Sequence, residues 1–401
     1  MLGAMTSLSG SKRVVPDPYR VLFPIGVANA AAGTLLWTLS AAGFLPWPGP
    51  LHQQLMIEGF EHAFVMGFLL TAMPAFTGGE RCRPIELALA VASVLLVDAG
   101  ALAGQRLLAH AAYLMGLINV ALALARRVMH GARKPPEEYL FLLPGFLFGI
   151  VGAALLIGME AGAWNEPQPR FAIRLLSLGL VLSLVLGIGS LLVPTFSGMS
   201  SPLEIPGLAG AHERAPRRRL YAPLALLLIA AFALEAYGHP SAGAALRAAV
   251  AGVMVLWVWK LWRVRILSGV AARVLWSSGW LILAGLMLAT FGPEFRLAGE
   301  HVVFIGGFGC VTFGVATRVV ASHGGHPLAI EGRLLGWPVA IGLAAALLTR
   351  VAAGWSGAHA AWLLGASGAA WALIWTGWGL RAARLFAPRS REWIRISKLR
   401  G

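Results

Sequence analysis

The 401 residues are 58% hydrophobic and only 12% charged, against about 25% charged in a soluble globular domain. Too few charges remain to coat a water-facing surface, so a soluble protein is excluded. The formal net charge of +15 does not point to nucleic acid, because the basic residues fall in loops between apolar runs, where the positive-inside rule puts them. Cys82 and Cys310 are too few and too far apart for a disulfide framework or a zinc motif.

A membrane-crossing helix needs roughly 20 apolar residues. Applied along the chain, that length predicts twelve spans, near 21–45, 52–76, 84–104, 107–128, 139–163, 171–198, 219–238, 242–266, 271–292, 297–321, 333–354 and 358–386. The expected fold is all-α and polytopic, a single transmembrane domain over 1–401 with a short N-terminal segment, 1–20, and a basic tail, 387–401. Lys12 and Arg13 precede the first long apolar run, so no signal-peptide core is present. The loops carrying Arg81 and Arg83, Arg126 to Lys134, Arg217 to Arg219, and Arg263 to Arg273 are basic, while the alternate loops are not. Both termini lie on the basic side, which places them in the cytoplasm. A short echo, PAFTG at 74–78 and PTFSG at 194–198, suggests three four-helix pseudo-repeats with spans two, six and ten equivalent.

Ionisable groups inside a span are costly and by default mark a functional site. The second span begins with His52 and carries Glu58, Glu61 and His62 further in. The spacing i, i+3, i+4 puts the last three on one α-helical face. His62 lies ten residues, or about 15 Å, beyond His52 at helical rise. This trio could act as a proton route or, through His62, bind a metal; a self-satisfied packing cluster is the plainer alternative. The tenth span opens with Glu300 and His301 and ends with Arg318, His323 and His326. His52 and His301, both at the outer ends of their spans, could meet opposite faces of a haem, or simply be interfacial histidines. Arg170, Arg174, Arg296 and Arg350 lie on the same side, where they could pair with propionates or snorkel. His323 and His326 flank Gly324-Gly325, as metal donors or as an ordinary helix end.

The segments GFLLTAMPAFTG (67–78) and HVVFIGGFGCVTFGVATRVVASHGGHPL (301–328), with GIGSLLVPTFSG (187–198) more weakly, resemble the NnrS family. These are multi-span proteins of the bacterial inner membrane that bind haem and copper and are linked to the response to nitric oxide. The resemblance implies a haem b, copper as a second metal, and His52, His301, Arg318 and His323 as cofactor-binding residues. It departs at the start of the second span. The family pattern Trp-His-x-His-Glu-Met stands here as Leu51 to Met56, without the second His and the Glu. Glu58, Glu61 and His62 are the nearest groups to take that role.

The expected function is therefore nitric oxide handling at a membrane haem, by binding or by reduction with electrons from quinol or another membrane donor. Glu58, Glu61 and His62 would be the catalytic proton source. A transporter or metal- or haem-delivery protein is the alternative from another class, and Gly78-Gly79 and Gly306-Gly307 could be read as its broken helices. A haem-based sensor or electron carrier without turnover is the third.

Overall fold

A computed structural model describes residues 15–163, 169–196, 218–263 and 268–387. The basic tail from 388, the first 14 residues and the loop arginines Arg217 and Arg265 lie outside the described residues. Within them the chain is helical, without a strand. That is what a bilayer demands, since an apolar solvent leaves every backbone N–H and C=O to be satisfied inside its own segment.

Eleven helices among the described residues are long and apolar enough to cross a membrane: α1 (Tyr19–Ala41), α2 (Gly49–Thr77), α3 (Pro84–Leu102), α4 (Arg106–His130), α5 (Glu137–Glu160), α6 (Arg170–Phe196), α7 (Arg219–Ala236), α8 (Pro240–Arg263), α9 (Val270–Leu288), α10 (Pro293–His323) and α11 (Trp337–Trp355). A twelfth, α12 (Ala360–Phe386), has 27 residues and the length to cross. Its apolar character is diluted by Trp362, Trp371, Trp375, Trp378, Arg381 and Arg384. Helices stand at all twelve expected positions, eleven of them long and apolar enough to cross, and this is a multi-pass membrane protein. The eighth, crowded with basic residues, is helical from Pro240 to Val258 and then breaks at Lys260, whose φ is +54°, before a single 3-10 turn to Arg263.

Packing divides the helices into three units of four. In each unit the second helix lies most extensively against the first: α2 on α1, α6 on α5, α10 on α9. The third and fourth pair with each other, and each fourth helix packs on the first helix of the next unit. The last of these contacts, α12 on α1, closes the ring. The three second helices form its centre. Of their apolar windows 72% (α2), 94% (α6) and 72% (α10) is buried, against 22–56% for the other eight. The pseudo-repeat suggested by PAFTG and PTFSG is thus the plan of the fold.

The central helices share an irregularity. Each carries a π-helical stretch: Leu55–Glu61 in α2, Leu175–Leu180 in α6 and Val302–Phe308 in α10. Each of these stretches lies against the first helix of its unit, as do the α-helical turns beside it. A fourth stretch, Met254–Val258 in α8, falls outside the pattern. A π turn accommodates an extra residue, so side chains beyond it are rotated by about 100° from their α-helical phase. Small residues permit the close approach. A Cβ on Gly285 of α9 would lie 2.6 Å from the carbonyl oxygen of Gly299 in α10. A Cβ on Gly368 of α12 would meet the carbonyl of Thr34 in α1 at 2.2 Å. At the seam of the ring, Arg20 donates from Nη1 to the carbonyls of Leu385, Phe386 and Ala387 at 3.3, 2.8 and 3.0 Å, capping the orphan carbonyls of α12.

Candidate functional site

Through Arg20 the start of α1 meets the end of α12, which defines a terminal end of the bundle and a distal end opposite. His52 and His301 both lie at the distal end, at the starts of α2 and α10, and both are half-buried. The Nδ1 of His52 bonds the carbonyl oxygen of Gly33 in α1 at 2.9 Å. The Nδ1 of His301 bonds the carbonyl of Leu297, one turn back, at 2.8 Å. A carbonyl can only accept, so each Nδ1 carries the proton and each Nε2 keeps its lone pair. Trp37 stands edge-on to His52 with ring centroids 5.5 Å apart. The two imidazoles are electrostatic neighbours, and Arg350 of α11 acts on both. No carboxylate pairs with Arg350 among the described residues.

Arg318 and His323 lie elsewhere. They are 17 and 22 residues along α10 from His301, so at helical rise about 25 and 33 Å away, at the terminal end. Arg318 is paired with Glu331, Nη2 to Oε2 at 3.0 Å, and its guanidinium lies 4.3 Å from the Phe196 ring centroid. His323 is exposed, with its ring centroid 6.3 Å from that of Tyr19. The structure does not bring this pair to His52 and His301, and one cofactor cannot span both. The helix ends at His323, with Gly325 at φ +64° completing the turn. Gly306 and Gly307 do not break α10, which runs on through its π stretch; Gly78, at φ +61°, caps α2.

Glu58, Glu61 and His62 sit in and just after the π stretch of α2, so the α-helical spacing expected for them does not hold. They converge nonetheless on α4. Glu58 Oε1 is 2.6 Å from Nδ1 of His110, and Gln54 Nε2 donates to Glu58 Oε2 at 3.4 Å. His62 packs on Tyr113, centroids 4.5 Å apart, with Nε2 3.5 Å from Ser93 Oγ. Both carboxyl groups act electrostatically on Tyr113. Gly116 makes room for His62, since a Cβ there would stand 2.3 Å from Nε2. On the neighbouring faces Asn29 of α1 donates to Asp98 of α3 at 3.1 Å, and Asn29 lies against Gly59, whose Cβ would meet its Oδ1 at 2.6 Å. His110 was not among the expected residues. The depth rule that singled out Glu58 applies equally to a histidine four residues inside the fourth span.

A second polar group occupies the distal ends of α6, α7, α8 and α10. Arg174 bridges Glu235 and Glu300, the latter at 2.6 Å from Nε, and Arg247 bonds Glu235 at 2.8 Å. Arg174 therefore has protein partners already. A small cleft beside it is lined by Arg247, Arg296 and Glu300. No three His, Cys, Asp or Glu side chains converge as a metal-binding group among the described residues.

These features define a polytopic helical membrane protein of three four-helix units, with paired histidines at the distal end and buried ionisable groups in the first unit. Residues 13–389 match the NnrS protein family, and the chain belongs to that family. No curated protein matches it.

Proposed function

We propose that α2 and α10 would hold a haem b at the distal end through His52 and His301, with Arg350 available to its acidic groups, and that the protein handles nitric oxide there. The observation that carries this reading is the state of the two imidazoles. Each has Nδ1 committed to a backbone carbonyl and Nε2 unbonded among the described residues, the arrangement that fixes a ligating histidine. Arg350, without a carboxylate, supplies a cation for an acidic cofactor edge. Haem iron, when bound, supplies a site for a diatomic gas and a one-electron redox change. The chain's part is to orient the rings through Gly33 and Leu297 and to wall the site with Trp37. Nitric oxide is small and apolar, so a site among membrane helices needs no polar channel. Reduction would consume protons, and Glu58, Glu61 and His62, deeper in α2, are the groups to deliver them. Quinol or another membrane donor would supply electrons. Arg318 and His323, at the other end, would serve a separate cofactor. The basic terminal end belongs in the cytoplasm and the protein in a bacterial inner membrane.

The test is the reduced-minus-oxidised optical spectrum of the purified protein, for the wild type, His52→Ala and His301→Ala. A b-type spectrum that either substitution abolishes or alters is the expected result. Nitric oxide consumption with a quinol donor then separates an enzyme from a binding protein. A colourless wild type after haem-sufficient expression sinks the reading.

A further inference from the structure

The first unit contains a set of buried polar groups whose charges do not balance. Glu58, at 2% exposed, His62, at 2%, and His110, at 5%, stand with Glu61 and Asp98 between α1, α2, α3 and α4. That is three carboxyl groups and two imidazoles. The other polar groups facing them are Asn29 from α1, Gln54 from α2, Ser93 from α3 and Tyr113 from α4. His52 lies one and a half turns away on α2. No arginine or lysine bonds any of the three carboxyl groups among the described residues. Glu58 is buried and Glu61 and Asp98 are half-buried; carboxylates held away from water without a cation are costly, so the set favours added protons. Four atoms in the set are buried with no hydrogen-bond partner: Glu61 Oε2, His62 Nδ1, Asp98 Oδ1 and His110 Nε2. Buried groups left unsatisfied by protein are the places where internal water and added protons reside.

We propose that the first four-helix unit holds a hydrated proton store built on the Glu58–His110 pair, with His110 relaying protons into it. The 2.6 Å contact joins His110 Nδ1 to Glu58 Oε1, while Nε2 on the far side of the same ring has no protein partner. The relay is a transfer through the imidazole. A water-borne proton binds Nε2 as the Nδ1 proton passes to Glu58 Oε1. The ring ends neutral with its tautomer exchanged, and one positive charge has moved across it. Re-exchange of the tautomer through water resets the relay. Glu61 and Asp98 hold further protons, balancing the set without a metal ion. The store does not depend on a haem. Its use as a donor rests on the haem reading above, for which its position is suitable: Glu58 is six residues, about 9 Å, along α2 from His52.

Infrared spectroscopy of the purified protein tests the store without reference to haem content or activity. At neutral pH the wild type is expected to show the carbonyl stretch of protonated carboxyl groups, diminished in Glu61→Gln and again in Asp98→Asn. After transfer to D2O, His110→Gln is expected to slow exchange of that signal by about a hundredfold, the lower end of what a positioned acid–base group contributes. Helix content from circular dichroism reports whether each variant folds. Should His110→Gln fail to fold, the isosteric Glu58→Gln cuts the relay at the other side of the same bond, with the same slowing expected. A wild type with no protonated carboxyl signal at neutral pH overturns the proposal, as does unchanged exchange in the folded relay variant. Stoichiometric metal lost on substituting Glu58 or His110 also overturns it, and makes the site a cation site instead.

Discussion

The set around Glu58 and the network around Arg174 treat buried charge in opposite ways, while Arg127, buried beside Glu86 at the terminal end of the first unit, follows the paired pattern. At the distal ends of α6, α7, α8 and α10, Arg174, Arg247, Glu235 and Glu300 meet as cation and anion, and each has a partner of opposite sign. Around Glu58 and His110, three carboxyl groups meet two imidazoles and no guanidinium among the described residues, and four polar atoms are left over. A network whose charges balance joins helices, even with Glu235 Oε2 and Arg247 Nη1 held by ion pairing alone. An unpaired one is incomplete until something from outside is added, and that is the mark of a working site. The two regions should therefore respond to mutation differently, one in stability and the other in chemistry.

The largest effect is expected where the pairing is complete. Glu235→Gln leaves Arg174 with Glu300 alone and Arg247 buried beside a neutral amide. Breaking a buried pair by removing one partner costs about 3–5 kcal/mol, to be read as a lowered thermal midpoint in detergent. If Glu235→Gln melts like the wild type, the contrast fails on its structural side. A smaller loss, about 1–3 kcal/mol by overpacking, is expected for Gly116→Ala in the first unit. The added methyl would stand 2.3 Å from His62 Nε2 and 2.5 Å from Ser93 Oγ, so His62 must turn away from Tyr113. Loss of the close-contact signals between the His62 and Tyr113 rings checks that displacement.

Glu58→Gln should cost about 1 kcal/mol or less, the net worth of one hydrogen bond, because the amide can still meet His110. A melting curve near that of the wild type, combined with slowed proton exchange, is the pattern of a chemical site. A loss as large as that of Glu235→Gln would merge the two regions into one structural class. The smallest effect is set outside the membrane, at Glu80 on the terminal side. The hydrogen bonds from Arg83 and Arg126 beside it hold its carboxyl below the usual 4.5. A depressed carboxyl adds stability above its unfolded value and loses it as pH falls through the folded one. The thermal difference between wild type and Glu80→Gln should therefore be small at neutral pH and shrink further below about pH 4.5.

Hydropathy and loop charge carried the sequence reading far. Eleven of the twelve helices are apolar runs of membrane length, and alternate loops place His52 and His301 at one end and His323 at the other. Even the three-unit plan left a trace, because PAFTG and the start of PTFSG close equivalent central helices that need the same small and kinked residues at their ends. The π stretches left none. They are set by how α2, α6 and α10 press on α1, α5 and α9, and Leu55 to Glu61 reads locally as any helix. The Glu58–His110 bond joins residues 52 apart, on helices whose rotation depends on that π turn. The partners of Arg174 were hidden for a similar reason. Glu235 and Glu300 stand on two other helices, and an arginine at a membrane edge has nothing in its own neighbourhood to name them.

The contact of α12 with α1 makes the order of helices cyclic. Arg20 already touches the backbone of Ala387, and α4 ends and α5 begins, as α8 ends and α9 begins, at that same end. A gene rearranged to begin at α5 or at α9, with a short linker joining the old ends, would encode every helix neighbour the present chain has. Circular permutation is tolerated where ends lie close at a surface. Here it would do more than test tolerance. The first helix to enter the membrane now waits for the last before its own face is covered, and a permuted chain would move that wait to a different seam.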